Sequence, residues 1–423
     1  MKRLLYILVV LLLFSCKKED GNPPQIEVTA PFQSSYNFGQ QIQFSANLSD
    51  ETQLESAVVA VFNSANQQVL ATKSFGLFNT YFEIDGSIII DDIYLPTGDY
   101  YLQLRVSDGT NESLAIREFK IFEAPRELIE VIGFNQQGSN MLEVQKLQNN
   151  QWQQSFILPL QLVFIQPDYY AQSVLIAGNT SDGLNAIRMD DGVSISSTPA
   201  PFPLSDILWN DATWHAASRT YWLACKDGSV RAFSGTGSGV SQFNIIGNFF
   251  PKKIAVTDSK VIVATTNQTN SQFRIEVYQK SSGILIHSTP LSSEIQWMNA
   301  LSEDNIWIYQ SAEEYKQNIY KVSGNYIDEW TNFRFAPSSE VTYAHLQDGV
   351  LFIQHTDGLR RYSLNGNIVA SGSAYLPSQM TYDNVNNQLY VIQENDVRIL
   401  NAQTLQESST LPGVDRIVLR FNK

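Results

Sequence analysis

Seven short apolar runs recur along the last two-thirds of this chain, and their nearly constant spacing limits what the chain can fold into. The spacings are 45, 47, 40, 45, 44 and 39 residues, measured between the anchors Ile129, Val174, Tyr221, Val261, Ile306, Val350 and Leu389. A polar turn and an alternating second run follow the apolar run, most clearly in residues 382–406. The repeat therefore predicts an array of small sheets.

The composition of these units predicts what kind of array they build. The anchor runs are apolar throughout, as expected for strands that are covered on both faces. The turns carry Asp-Gly or Asn-Asp, residue types that tolerate the positive φ of tight hairpins. Seven such units, all built from strands, predict a seven-bladed β-propeller over residues 126–423.

The two ends of the array are complementary. The first anchor stands so early that its unit lacks an innermost strand, whereas IVLRF (417–421) is left over after the seventh unit. The segment LPGVDRIVLRF (411–421) also echoes LPLQLVFIQP (158–167), which leads into the second unit. We predict that the C-terminal strand completes the first blade and removes the free sheet edges.

The last unit, residues 382–406, resembles the YVTN-type propellers of bacterial surface proteins. That resemblance implies the fold and no particular ligand, because the family's repeat is a packing motif. No Trp-Asp pair closes these units, so the WD40 signature is absent.

Residues 24–122 form a second all-β module before a joint at 123–127. Period-2 alternation and turn residues predict strands over 25–30, 41–48, 56–62, 67–74, 80–91, 99–107 and 115–122. About seven short strands in about 100 residues suit a two-sheet antiparallel sandwich. The stretches PPQIEVTAP and GDYYLQLRVSDGTNES resemble bacterial Ig-like or PKD-type modules, which implies an Ig-like β-sandwich that acts as a spacer or docking surface.

The N-terminus reads as a targeting segment. Lys2 and Arg3 precede an apolar run that ends at Phe14, which is shorter than the roughly 20 residues of a membrane span. We interpret residues 1–15 as a signal peptide. The run ends in LFSC, which resembles the lipobox of bacterial lipoproteins and implies cleavage before Cys16 and lipidation of its sulfur.

The charged residues KKED directly after Cys16 resemble the surface-export signal of Bacteroidetes lipoproteins. We interpret residues 16–23 as a lipidated tether. The alternative for KKED is that it is only a solvated part of this tether and carries no export signal. The resemblance implies an outer-membrane protein that is held by its lipid anchor and faces the cell exterior.

The sequence offers no linear catalytic motif, and we expect neither a metal site nor a cofactor. HExxH, GxSxG, P-loop and GxGxxG patterns are absent, and the histidines are scattered over the units at His215, His287, His345 and His355. Cys225 lies in the apolar run YWLAC, which predicts a buried, inert thiol. A net charge of −14 argues against a nucleic-acid partner.

Aromatic residues supply the candidate binding site. They make up 12% of the chain, and most are expected in the cores. Four fall near the starts of units, where innermost strands line the axis of a propeller: Trp209, Trp297, Tyr343 and Tyr382. We predict these as ligand-binding residues, because aromatic faces suit sugar rings, a planar cofactor or a peptide.

These observations leave several functions open. The leading hypothesis is a non-catalytic surface lipoprotein whose propeller binds a glycan, another small ligand or an outer-membrane transporter. Resemblance to surface propeller lipoproteins that capture cobalamin beside a transporter implies one variant of this. The alternatives are an extracellular polysaccharide lyase or hydrolase on a propeller scaffold, and a platform for protein assembly.

Overall fold

The computed structural model describes residues 21–31, 33–178, 183–198, 209–310, 316–329, 340–394 and 396–423. These residues form strands, turns and loops, which confirms the all-β prediction, and none of them belongs to a helix that could cross a membrane. Two compact units divide the chain between Pro125 and Arg126. The predicted signal peptide and lipidation site, Cys16, lie outside the described residues.

The first unit places eight strands in two sheets within its described part. The strands are β1 (Gln25–Ala30), β2 (Ser35–Asn37), β3 (Gln41–Ser49), β4 (Ser56–Asn63), β5 (Lys73–Gly76), β6 (Tyr81–Ile89), β7 (Gly98–Ser107) and β8 (Glu112–Phe122). One sheet has the order β1-β3-β6 and the other β2-β8-β7-β4-β5. The short pairing of β2 with β8 is parallel, and the other pairings are antiparallel.

Both sheets bury one face in a single core. Alternate residues of β3 and β7 are buried, including Ile42, Phe44, Leu102 and Leu104, as their period-2 pattern predicts.

One strand prediction in this unit is wrong. The strand expected over 67–74 is broken into two short pieces, of which only β5 is a full strand. Asn63 Oδ1 accepts hydrogen bonds from the N–H groups of Ala65 and Gln67, at 3.0 and 2.9 Å, in a turn after which Gln68 forms an isolated antiparallel bridge to Phe62. The chain then leaves β4 and rejoins it as β5. The sequence analysis also missed β2.

The second unit is an array of hairpins. Its first strands are β9 (Leu128–Gln136), β10 (Leu142–Gln148) and β11 (Gln151–Leu158). Six groups of four strands follow: β12 (Phe164–Asp168), β13 (Ser173–Ala177), β14 (Leu184–Arg188), β15 (Ser194–Thr198); β16 (Trp209–His215), β17 (Thr220–Cys225), β18 (Ser229–Ser234), β19 (Gly239–Asn244); β20 (Phe249–Val256), β21 (Lys260–Asn267), β22 (Phe273–Gln279), β23 (Leu285–Leu291); β24 (Ile295–Ala300), β25 (Asn305–Gln310), β26 (Lys316–Lys321), β27 (Tyr326–Glu329); β28 (Val341–Gln347), β29 (Val350–His355), β30 (Gly358–Tyr362), β31 (Ile368–Ser371); and β32 (Gln379–Asp383), β33 (Gln388–Gln393), β34 (Asp396–Asn401), β35 (Glu407–Pro412). The last strand is β36 (Arg416–Phe421).

Every strand of this unit belongs to a four-stranded antiparallel sheet, and the described residues form seven of these sheets. Sheet 1 has the order β11-β10-β9-β36, and sheets 2 to 7 are the six groups in chain order. The sequence anchors all fall on the strand next to the innermost one, as in Val174 on β13 and Leu389 on β33. These strands are almost wholly buried, because other sheets cover both of their faces.

The array closes on itself through its last strand. β36 pairs antiparallel with β9, with Val418 opposite Ile132, and so takes the innermost place of sheet 1. The predicted pairing of the C-terminal strand with the first sheet is therefore confirmed. β36 neighbours both β12 and β32, the innermost strands of sheets 2 and 7.

Hydrophobic clusters join each sheet to the next. One cluster holds residues of sheets 1 and 2, others join the successive pairs up to sheets 6 and 7, and one joins sheet 7 to sheet 1. In the last of these, Ile392 and Val397 pack with Leu419 and Phe421. A circular array of sheets that is closed in this way is a β-propeller.

Polar side chains tie the innermost strands together. Gln347 donates Nε2 to the Tyr382 carbonyl at 2.7 Å and accepts from the Tyr382 N–H at 3.1 Å. Gln379 makes the same pair of bonds to Ile417, at 2.9 and 2.7 Å. Each carboxamide therefore satisfies backbone groups on the unpaired edge of the next innermost strand.

The Arg126 side chain contacts residues at the ends of several innermost strands. Its guanidinium lies 3.9 Å from the Phe421 ring centroid and 5.1 Å from that of Tyr169, and Nη1 is 3.2 Å from Asp348. These partners come from sheets 1, 2 and 6, so one side chain bridges opposite parts of the ring.

Candidate functional site

The innermost strands of four consecutive sheets share one irregularity. In sheets 3, 4, 5 and 6, the register with the second strand shifts near the start of the strand. The shifts lie between Trp209 and Asp211, Pro251 and Lys253, Ile295 and Trp297, and Val341 and Tyr343. The corresponding pairs in sheets 2 and 7 keep a continuous register, and the pair in sheet 1 shifts at the other end of its innermost strand, between Arg420 and Phe421. Because a β-bulge bends its strand and re-aims its side chains, this repetition sets one arc of the ring apart.

The residue after each bulge has a charged or aromatic side chain. We call the four residues Asp211, Lys253, Trp297 and Tyr343 the axial arc. Lys253 Nζ lies 3.8 Å from Asp211 Oδ1 and 5.0 Å from the Trp297 ring centroid. The Trp297 and Tyr343 ring centroids are 5.1 Å apart. The arc is therefore a continuous row of a carboxylate, an ammonium group and two aromatic rings.

The charged half of the axial arc is only partly shielded from solvent. Asp211 Oδ2 accepts a hydrogen bond from the Ile254 N–H at 3.0 Å, and the neighbouring Asn210 donates Nδ2 to the Pro251 carbonyl at 2.7 Å. Burial raises the pKa of the Asp211 carboxyl, although Lys253 and backbone N–H groups act in the opposite sense. The side chains of Asp211 and Lys253 each remain 25% exposed, so a ligand can reach both.

The aromatic half offers two adjoining faces. The Trp297 and Tyr343 rings are inclined by 52° and are half-buried. Burial raises the pKa of the Tyr343 hydroxyl, whereas the charge of Arg416 lowers it and that of Asp211 raises it. Arg416 is the first residue of β36 in sheet 1, so the Tyr343 hydroxyl interacts electrostatically with charged groups from sheets on both sides of it. Aromatic faces beside a cation can bind a ring and its charged substituent together.

The four aromatic residues predicted from the sequence fall into two groups. All four stand on innermost strands, and Trp297 and Tyr343 lie together on the axial arc. Trp209 is 6% exposed and packs edge-on against Phe164 in the core between sheets 2 and 3, and its Nε1 has no hydrogen-bond partner among the residues that the structure describes. Tyr382 is equally buried against Phe352. Ligand binding by these residues stays a prediction.

The sequence analysis missed Asp211 and Lys253. It selected residues near the starts of units by aromatic type, and a single charged residue in a strand carries no comparable signal. The bulges are equally invisible, because the same sequence could pair in a continuous register.

Turns follow the opposite ends of the innermost strands. Asp168 and Asp383 are buried, and each accepts hydrogen bonds through Oδ1 from the second and third N–H groups after it. His215 takes the same place in sheet 3 and accepts from the Ser218 N–H through Nδ1, at 3.1 Å. In the described parts of the chain, His, Cys, Asp and Glu side chains form no group that could hold a metal ion.

One further sequence prediction can be placed. Cys225 is fully buried, and burial raises the pKa of its thiol to about 12, which confirms the prediction of a buried, inert cysteine. Asp50 and Asp108 each accept hydrogen bonds from N–H groups two or three residues further on. They form turns in the first unit.

The stability of the propeller unit should fall in mild acid through His345. Its Nε2 lies 2.9 Å from Gln347 Oε1, and burial holds its pKa below the ordinary value, although Gln347 and Asp348 act in the opposite sense. The unfolded chain therefore takes up this proton first, so the contribution is complete above about pH 6.5 and is lost as the pH falls below that value.

Urea unfolding at pH 7.5 and pH 5.5 measures this loss. His345→Gln, which cannot take up a proton, should lose less stability over this interval than the natural chain. Equal losses in both proteins would contradict the assignment.

Comparisons with known proteins yield only structural likenesses. No family model matches the sequence, and no curated protein matches it. The crystal structure of RRP9 WD40 repeats is similar over 60% of this chain and 82% of its own, with 8% identity and a TM-score of 0.47. The computationally designed Ika8 protein is similar over 68% of this chain and 86% of its own, with 12% identity and a TM-score of 0.47. BamB from Moraxella catarrhalis is similar over 68% of this chain and 88% of its own, with 14% identity and a TM-score of 0.41. The propeller assignment rests on the strand order and its closure.

Proposed function

We propose that this chain is a non-catalytic cell-surface lipoprotein whose propeller binds a ligand or a partner protein at its axis. The axial arc carries this proposal. It places a carboxylate, an ammonium group and two aromatic rings on innermost strands that are bulged in sheets 3 to 6 and regular in sheets 2 and 7.

The propeller in this proposal has seven blades, each corresponding to one of the four-stranded sheets. Two observations support the number. The described residues form seven such sheets, and the seven hydrophobic clusters between neighbouring sheets lead back from sheet 7 to sheet 1.

The first unit is proposed to be an Ig-like β-sandwich that serves as a spacer, over residues 24–122. Its two sheets bury their facing sides in one core, and antiparallel pairing dominates both of them. Lipidation of Cys16 and the tether over residues 16–23 would then hold the propeller at the outer membrane, facing the cell exterior. The partner in this setting is an outer-membrane transporter, an extracellular glycan or a small ligand.

Photo-cross-linking on intact cells tests the axial site. Benzoylphenylalanine in place of Trp297 should form adducts with a bound partner, whereas the same probe in place of Tyr326 should form few. Tyr326 is 51% exposed on the outermost strand of sheet 5 and serves as a matched surface position. Equal yields at both positions, or none at either, would contradict an axial binding face.

The same cells test the anchor. The natural chain should incorporate an alkynyl palmitate and be degraded by externally added protease, and Cys16→Ser should lose the label and leave the membrane fraction. Retention of the label in Cys16→Ser would exclude this cysteine as the lipidation site.

A further inference from the structure

The first unit carries most of the net negative charge of the chain. Residues 21–125 contain 13 Asp and Glu against 4 Lys and Arg, so they hold nine of the 14 net negative charges of the sequence. The three strands of its smaller sheet, β1, β3 and β6, contain three acidic residues, Glu27, Glu83 and Asp85, and no basic residue. A surface with charges of one sign attracts partners of the opposite sign.

The edges of the two sheets differ in how far they discourage further pairing. β2 and β5 have only three and four residues, and β1 has a register shift between Val28 and Ala30, just before Pro31. β6 has nine residues without Pro or Lys, and it pairs with β3 in a continuous register. Because natural edge strands are usually short, bulged or blocked, β6 is an open position for another strand within the described part of this unit.

Part of β8 is unpaired as well, because β2 pairs with it only over Lys120–Phe122. β7 and β8 contain three of the four basic residues of the unit, Arg105, Arg117 and Lys120, and the fourth, Lys73, lies on β5. The open part of β8 therefore offers charges of both signs, whereas the sheet that contains β6 offers only carboxylates.

The backbone of β6 presents a regular row of hydrogen-bonding groups to the free edge. The Ile90 N–H donates to the Gln40 carbonyl, and the Asp50 N–H donates to the Thr80 carbonyl, both at 2.9 Å. Even-numbered residues of this stretch therefore bond toward β3. Because the bonding direction alternates along an antiparallel strand, the N–H and C=O groups of the odd-numbered residues from 81 to 89 point away from β3.

The same odd-numbered residues carry the acidic side chains of β6. Ile84 and Ile88 face the core of the unit, so Glu83 and Asp85 lie on the solvent face of the sheet, where both are exposed. Neither carboxylate forms a hydrogen bond or an ion pair with a described residue. Further acidic residues adjoin both ends of β6, at positions 50–51 and 91–92. An incoming strand would therefore meet free backbone groups and free carboxylates at the same positions.

Charge and burial define the strand that fits this edge. Its residues opposite Glu83 and Asp85 would lie beside them on the same face, where opposite charges stabilise the pairing and like charges destabilise it. A second copy of β6 is therefore a poor partner, since it would bring carboxylates together. The residue between these two positions would turn toward the buried Ile84 and the partly buried Phe82, which favours an apolar side chain.

We propose that the free edge of β6 binds an extended protein segment in which basic residues alternate with apolar ones. The segment would add a fourth strand to the β1-β3-β6 sheet, held by main-chain hydrogen bonds and selected by its Lys or Arg side chains. This surface belongs to the first unit, so the inference goes beyond the proposed binding at the axis.

Calorimetric titration of the full chain with three synthetic heptapeptides tests the inference. Each peptide is acetylated and amidated, so that its ends carry no charge. TKVKVKT has the expected alternation, TKKKVVT has the same composition without the alternation, and TEVEVET has the alternation with the opposite charge. TKVKVKT should bind at least tenfold more tightly than either of the others.

Substitutions locate the binding on β6. Glu83→Gln combined with Asp85→Asn removes both charges with little change in shape, and Ser87→Pro removes an edge-facing N–H without touching the bonds to β3. Each should weaken TKVKVKT binding at least tenfold. Glu112→Gln combined with Glu118→Gln removes two exposed carboxylates from β8 and should leave the binding unchanged. Thermal melts check that the variants fold, and the charge variant of β6 decides alone if Ser87→Pro does not.

The inference fails if TKVKVKT does not bind, if either of the other peptides binds equally well, or if the charge variant of β6 binds no more weakly than the β8 variant. Equal binding of TKKKVVT would mean attraction by charge alone, without strand pairing. None of these results bears on the proposed function, which is tested by the cross-linking at position 297.

Discussion

Removal of residues 414–423 is expected to abolish the soluble fold of the propeller unit. The deletion takes away β36, whose Ile417, Val418, Leu419 and Phe421 are at most 2% exposed. Each such side chain contributes roughly 1.5–3 kcal/mol by its burial. Their sum is comparable with the whole stability of a typical domain, about 5–15 kcal/mol. The deletion also exposes the edge of β9 and the cores on both sides of sheet 1, which favours aggregation.

The measurement is the soluble fraction after expression, followed by thermal melting of whatever remains soluble. One variant calibrates it: Leu419→Ala keeps the strand and should cost about 2–5 kcal/mol. A chain without 414–423 that melts like the intact protein would show that β36 does not hold the ring closed.

Asp383→Ala should destabilise the propeller unit by about 2–4 kcal/mol, through hydrogen bonds and not through charge. The side chain is fully buried at the end of β32. Its Oδ1 accepts from the N–H groups of Val385 and Asn386, at 3.0 and 3.2 Å, and Oδ2 accepts from Asn386 Nδ2 at 2.7 Å. Alanine would remove the acceptor that all three of these donors share in the turn after β32. Urea unfolding measures the loss.

Conservative and surface substitutions separate the causes. Asp383→Asn keeps Oδ1 and should lose less than half as much stability as Asp383→Ala. Asp396→Ala removes a carboxylate that is 51% exposed and 3.9 Å from Arg398, so it should lose less than about 1 kcal/mol. Equal losses for Asp383→Ala and Asp383→Asn would assign the effect to charge.

The repeat in the sequence predicted the array because each sheet buries one strand on both faces. Such a strand must be apolar throughout, and runs such as YWLAC therefore stand out at β17 and its equivalents. The closing strand was predictable for a related reason. A segment that takes the innermost place repeats the pattern of other innermost strands, and residues 411–421 echo 158–167.

Details that depend on pairing were not predictable. The 67–74 segment has the composition of one strand, but it contacts β4 in two pieces, an isolated bridge at Gln68 and the strand over 73–76, with a break between them. The bulges of sheets 3 to 6 depend on how two strands align, so the sequence of one strand does not predict them. For the same reason the axial arc could not be predicted in full. Trp297 and Tyr343 were found by residue type, and Asp211 and Lys253 became visible only through their contacts.

Closure by β36 also has a consequence for biogenesis. Sheet 1 is built from two parts of the chain that lie nearly three hundred residues apart, since Leu128 pairs with Phe421. During synthesis, β9 cannot pair with β36 until Phe421 has been made. The strands of sheets 2 to 7 are complete before that point and can pair earlier. Long waits of this kind slow folding and leave surfaces exposed to chaperones. The circular architecture thus delays completion of the fold until the whole chain is available.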